Sequence, residues 1–172
     1  MNELSYSRVA RMLHWAMGLL IVLNLLGGLF HEALDADFIM PLHKATGILL
    51  LALAVIRILW RLTHRAPPLP ENMSGLEKLA SHITHFTLYA MMVIIPLSGW
   101  IMSSASRWPI SFYGLFDVMK FAVSKDDTIV GISHEAHELL GFAMIGLLVL
   151  HIAAALRHHF VLKDGIMRRM LG

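Results

Sequence analysis

The sequence predicts an all-α fold, a four-transmembrane-helix bundle with both termini cytoplasmic, and three observations carry that prediction. Hydrophobic residues make up 57% of the 172-residue chain and charged residues 15%, with a mean hydropathy of +0.66, a balance suited to lipid rather than water. Four stretches, 12–30, 45–60 (interrupted by Arg57), 85–106 and 139–156, are nearly free of charge, and each can cross a hydrocarbon layer about 30 Å thick as one helix. Lys and Arg collect on one set of connections and are scarce or balanced by acids on the other, which orients the bundle.

The first helix is expected over about 12–31, after Arg8 and Arg11. It lacks a small-x-small cleavage site and is expected to stay in the mature protein rather than leave as a signal peptide. The connection after it reads "HEALDADF", with acids and no Lys or Arg. The second helix, about 43–62, is followed by Arg61, Arg65 and the run Pro67, Pro68 and Pro70 in "RAPPLPENMSG"; proline disfavours helix in the residue before it and gives an extended linker. The third helix, about 82–103, follows Lys78 and contains Pro96, a kink that membrane helices tolerate when neighbours satisfy the freed carbonyl. The connection 103–133 has balanced charge and carries Trp108, Phe112, Tyr113 and Phe116, an aromatic belt for the outer interface. The fourth helix, about 137–158, is followed by Lys163, Arg168 and Arg169.

Four crossings use nearly the whole chain, so residues 1–172 are expected to form a single integral membrane domain with no separate soluble catalytic module. The positive-inside rule places both termini and the proline-rich loop in the cytoplasm. A net charge of +2 sits on that rim and gives no reason to invoke nucleic acid; membrane lipid is the partner it implies.

Cysteine is absent and histidine occurs eleven times. That excludes disulfides, thiolate iron–sulfur clusters and c-type haem attachment, and leaves imidazole as the abundant ligand. In "HEAHELLGFAMIGLLVLH" the 14 residues from His137 to His151 make nearly four turns, so both rings share a helix face about 21 Å apart along its axis. His43 opens the second span on the outer side, level with His137, and His14 opens the first on the cytoplasmic side, level with His151. Two transverse pairs follow, His43 with His137 and His14 with His151.

Side chains lean toward a helix N-terminus, so the residue at i+4 decides whether a broad planar ligand can approach a histidine. Those residues are Gly18, Gly47, Gly141 and Ala155 for the four paired histidines; His82, His85, His134 and His158 are followed instead by Phe86, Tyr89, Glu138 and Leu162. A lone histidine at a membrane boundary is usually an interfacial polar residue, and small residues such as Gly27, Gly28 and Gly146 read as helix-packing sites. Four histidines matched in depth and in neighbour are a stronger signal, since ionisable groups within membranes tend to be functional.

Zinc and copper sites gather their ligands close together, often with carboxylates or thiolates. Two separated bis-histidine pairs instead suit two haem b groups in a helix bundle, with electrons passing between them. Arg57 lies 14 residues after His43, at the depth of the His14/His151 pair, where it can meet a haem propionate or snorkel to the lipid surface.

The chain resembles the bacterial cytochrome b561 family, which includes cytochrome b subunits of nickel-iron hydrogenases, over essentially its full length. The resemblance rests on "YSRVARMLHW", "PLHKATGILLLALAVIRILWRL", "GLEKLASHITHFTLYAMMVIIPLSGWIM" and "AHELLGFAMIGLLVLHIAAALRHH". It is similar in particular to the small stand-alone di-haem members, among which a superoxide:ubiquinone oxidoreductase is known. The resemblance implies haem ligands on the first, second and fourth helices, matching His14, His43, His137 and His151, and a place in the bacterial inner membrane.

Electron transfer to ubiquinone, with superoxide as donor, is then one expected function. The other is a cytochrome b subunit linking a periplasmic dehydrogenase or hydrogenase to the quinone pool; a haem-free, histidine-rich transporter is a third possibility from a different class. For superoxide, Lys44, Arg107, Lys120 and Lys125 are candidate outer cations, offset by Asp117, Asp126 and Asp127. For the quinone, polar groups near the inner pair are His82, His85, Arg157, His158 and His159, with His158 the first candidate for a hydrogen bond to a carbonyl.

Overall fold

Serine at position 7 starts the first helix: its side chain accepts a hydrogen bond from Ala10 N at 3.3 Å, satisfying one of the free amides of a helix N-terminus. In the computed structural model, which describes residues 5–64, 66–70 and 73–172, this helix, α1, runs Arg8–Leu34 and ends at Asp35 in the left-handed region (φ 42). Arg65 lies outside the described residues. A short connection leads to α2, Ile39–Thr63. The third helix, α3, Gly75–Ser104, opens with a reciprocal capping box, in which Glu77 N bonds Ser74 Oγ at 3.2 Å and Ser74 N bonds Glu77 Oε2 at 3.0 Å. The fourth, α4, spans Thr128–Arg157.

All four are long and apolar enough to cross a membrane, with mean hydropathy from 1.6 in α3 to 2.4 in the fourth span. At 30 residues, α3 and α4 reach about 45 Å, longer than the hydrocarbon layer. This explains why they begin well before the expected residues 82 and 137: hydropathy marks the lipid-embedded part of a helix, while capping and backbone hydrogen bonds carry it into the polar rim.

The connection between α3 and α4 departs from the all-α expectation. It holds an antiparallel hairpin, β1 Ile110–Phe112 and β2 Phe116–Val118, with Ile110 opposite Val118. Tyr113 and Gly114 take φ values of 52 and 76, the left-handed pair that suits the twist of a tight hairpin and that glycine adopts without strain. Ile110 is buried, and the Tyr113 hydroxyl meets Thr46 Oγ1 of α2 at 2.9 Å. Trp100 Nε1 donates to Met119 O at 3.0 Å, Phe121 N to Ser104 Oγ at 3.2 Å, and Lys120 Nζ to Ser106 O, fixing the hairpin over one end of the bundle.

The helices pack in sequence, α1 on α2, α2 on α3 and α3 on α4, with no comparable seam between α1 and α4. The buried centre is Met17, Ile21, Leu50, Ala54, Leu88 and Met144. Many large apolar side chains face outward, among them Leu19, Leu59, Phe86, Leu139 and Leu150, as lipid contact requires.

The opposite, basic end is closed by the C-terminal segment. A π-helical turn, His158–Leu162, is followed by Lys163 (φ 53) and Gly165 (φ 81), which reverse the chain into a last short helix, α5, Ile166–Leu171. Trp15 Nε1 donates to Met170 O at 3.0 Å, Tyr6 N to Arg169 O at 3.2 Å, and the Arg169 guanidinium to Pro68 O at 2.6 Å. Arg157 pairs with Glu77 at 3.1 Å, joining α4 to α3.

Candidate metal centres

The fold brings four histidines together two by two. His43 of α2 and His137 of α4 have ring centroids 6.0 Å apart near the hairpin end; His14 of α1 and His151 of α4 are 6.1 Å apart near the basic end. Two imidazoles bound through Nε2 to one metal ion, at about 2 Å each, put their centroids about 6 Å apart.

At the hairpin-end pair, backbone from a third and a fourth helix sets each ring. His43 Nδ1 lies 3.0 Å from Asn24 O of α1, and His137 Nδ1 lies 2.9 Å from Ile95 O of α3. A carbonyl only accepts, so Nδ1 carries the proton in both rings and Nε2 keeps its lone pair, the arrangement of a metal-ligating histidine. Ser98 Oγ also bonds Ile95 O, at 2.8 Å, and lies 3.3 Å from His137 Nδ1. Glycine four residues beyond each carbonyl admits the ring: a Cβ on Gly28 would come within 2.9 Å of His43, and one on Gly99 within 2.8 Å of His137. Gly28 is therefore more than a helix-packing residue. The i+4 rule looks along one helix and could not reveal this contact; the repeated signal is a carbonyl and a glycine four apart on the facing helix.

The basic-end pair has side-chain neighbours instead. The Arg57 guanidinium donates to His14 Nδ1 at 3.0 Å, and its Nε donates to Tyr89 OH at 3.3 Å with Cζ 5.6 Å from the Tyr89 ring centroid. Arg57 thus reaches the depth expected of it. His85 of α3, set aside in sequence because Tyr89 follows it at i+4, lies 5.6 Å from the His151 ring. His158 is not grouped with these rings. Its Nδ1 meets Asp164 Oδ2 at 2.5 Å, a partner the sequence offered no periodicity to find.

The residues fit a planar macrocycle held between two imidazoles. A Cβ at Gly18, Gly47 or Gly141 would meet nothing within 4 Å, so space lies beside three of the four rings. Among the described residues, no three His, Cys, Asp or Glu side chains gather into one metal site, which argues for two-ligand centres rather than a zinc-type cluster.

Comparison with known proteins agrees with this chemistry. The profile of the prokaryotic cytochrome b561 family matches residues 5–172. The chain is 34% identical to cytochrome b561 homolog 2 of Escherichia coli, over 97% of this chain and 91% of that protein. It is 29% identical to the probable superoxide oxidase CybB of Yersinia pestis, over 96% and 95%, and 28% identical to cytochrome b561 homolog 1 of E. coli, over 99% and 98%. A helical bundle with four membrane-spanning segments and paired histidines, matched over nearly its whole length, belongs to the prokaryotic cytochrome b561 family and is a membrane haem protein of electron transfer.

Proposed function

We propose that the chain is a di-haem superoxide:ubiquinone oxidoreductase of the bacterial inner membrane, with His43/His137 as axial ligands of one haem b and His14/His151 of the other. The observation that carries the proposal is the pairing of four rings at 6.0 and 6.1 Å near opposite ends of one bundle. Haem b held at both pairs would supply one-electron transfer.

The positive-inside rule assigns the basic end, with Arg8, Arg11, Arg61, Lys163, Arg168 and Arg169, to the cytoplasm and the hairpin to the periplasm. In the overall reaction, two superoxide anions each lose one electron and leave as O2, while one ubiquinone gains two electrons and two cytoplasmic protons to become ubiquinol. Lys44, beside His43, and Arg107, Lys120 and Lys125 of the outer connection attract the anion. At the other end Arg57, which bonds His14, would hold a haem propionate, and His158 would hydrogen-bond a quinone carbonyl. The likeness to a probable superoxide oxidase over 96% of the chain supports this donor.

The second function is that of an electron-transfer subunit linking a periplasmic dehydrogenase or hydrogenase to the quinone pool. Exposed Trp108, Leu115 and Met119 at the hairpin end favour it, as a surface on which a redox protein could dock.

Pulsed superoxide added to oxidised, quinone-loaded protein separates the two. Rapid haem reduction followed by quinol formation is the expected result. Protein that stays oxidised, and that copurifies with a stoichiometric soluble redox subunit, would establish the second function instead.

A further inference from the structure

One face of α4 and of the π turn that continues it carries a residue of interest every seventh position: His137, Met144, His151 and His158. Seven residues make almost two turns, so His158 continues the line of the two ligand candidates, about 10 Å beyond His151. It keeps helical dihedrals (φ −60, ψ −37), but the helix widens there into the π turn, a distortion common at functional sites. The reversal at Lys163 and Gly165 then brings Asp164 back over the helix end.

The contact so formed is close and nearly dry. His158 Nδ1 and Asp164 Oδ2 are 2.5 Å apart, with side chains 12% and 5% exposed. The other oxygen, Oδ1, accepts the Ile166 amide at 3.1 Å, so both oxygens of the carboxylate are engaged and its plane is fixed. An ionised carboxylate only accepts, which keeps a proton on His158 Nδ1 and leaves Nε2 to act outward.

We propose that Asp164 is the positioning residue for quinone protonation, holding His158 so that its Nε2–H is passed to a quinone carbonyl oxygen. The proposal rests on the assignment of His158 as the quinone contact. Each ubiquinone takes two electrons from the electron-transfer reaction already assigned and two protons. His158 starts as an imidazolium, with Nδ1–H on Asp164 and Nε2–H toward the quinone; Nε2 gives up its proton as the O–H bond forms, the ring is left neutral with Nδ1–H still on Asp164, and water on the cytoplasmic side returns a proton to Nε2. The charged and titratable groups on the adjoining elements include Arg157, paired with Glu77 of α3, Lys78 and His82 of α3, His159, Lys163, Arg168, Arg169 bonded to Pro68 O, and Arg8 and Arg11 of α1.

The test is stopped-flow reoxidation of pre-reduced, haem-replete protein by a short-chain ubiquinone in detergent micelles, for wild type, His158→Ala, Asp164→Asn and Asp164→Glu. Haem content, thermal midpoint, KM for the quinone and the solvent deuterium isotope effect are measured on each. Asp164→Asn is expected to slow reoxidation about ten- to a hundredfold, with a larger isotope effect, unchanged KM and full haem content; Asp164→Glu should recover most of the rate. Wild-type reoxidation in Asp164→Asn alongside a slow His158→Ala would overturn the role of Asp164 alone. Wild-type reoxidation in His158→Ala would overturn the quinone contact, and this inference with it. Slow reoxidation with lost haem or a lowered thermal midpoint, unrescued by Glu, would make Asp164 only a structural tie for α5.

Discussion

The two histidine pairs have nearly the same ring separation and opposite surroundings. At the hairpin end each ring is held by a main-chain carbonyl and pressed against a glycine of a neighbouring helix. At the basic end a guanidinium holds His14 and a third imidazole lies beside His151. Main chain cannot change charge or rotamer, so the first pair is held with Nε2 available, as the proposed ligation needs. Arg57 can only donate, so in a neutral His14 the proton sits on Nε2, and ligation there requires Arg57 to let go. One centre is fixed by backbone; the other is adjustable through side chains.

The most severe way to break that contrast is at the glycines. With two haems bound as proposed, Gly99→Val or Gly28→Val is expected to remove the one at the hairpin end, lowering the haem-to-protein ratio by half and deleting one of two steps in a redox titration. Retention of both steps would show that the backbone cradle is dispensable. A second comparison is loss of haem to excess apomyoglobin, where the basic-end haem should leave on the order of ten- to a hundredfold faster. Equal rates would erase the distinction between preset and adjustable sites.

A smaller effect is expected from Arg57→Leu. Removing a cation stabilises the oxidised, more positive haem, so the basic-end midpoint should fall, by roughly 60 mV for a tenfold change in a one-electron equilibrium, while the hairpin-end midpoint stays put. Tyr89→Phe, which deletes one hydrogen bond to Arg57, should move the same midpoint less. The smallest effect concerns Asp127, at the start of α4. Hydrogen bonds from the Ser124 amide and hydroxyl hold its carboxyl below the usual carboxylate range. Its contribution to stability is full above the ordinary carboxylate pKa and is lost as pH falls through the lowered one. Asp127→Asn should slightly flatten the acid side of a thermal-melting profile and leave both midpoints alone; a shifted midpoint would couple this loop to the centre beneath it.

Hydropathy was enough to read the four spans, because lipid demands long uncharged helices. It was poor at their ends. The "SGLE" capping box that starts α3 at Gly75 was legible as a motif but lies outside the apolar run, and "TIVGISHEA" continues α4 without being lipid-like. The hairpin was also partly legible, in the alternation of "ISF" and "FDV" around Tyr113-Gly114; the aromatic content of the segment suggested an interface instead. Periodicity along α4 matched His137 and His151 in depth with His43 and His14, and the rings do meet. What faces those rings from other helices, Gly28, Gly99 and Arg57 at His14, depends on helix rotation, which one sequence does not specify. The Asp164 contact depends on a π turn and a left-handed reversal, neither of which leaves a hydrophobic period.

The seven-residue cadence of α4 also limits how this chain can change in length. One residue inserted between His137 and His151 would rotate the second ring by about 100° and carry His158 around with it, disconnecting the two ends of the protein in a single step. An insertion in the turn at 113–115 would disturb only a hairpin. Length variation among descendants of this chain should therefore collect in the outer connection and be absent, except in whole pairs of turns, from the interval that spaces the two centres.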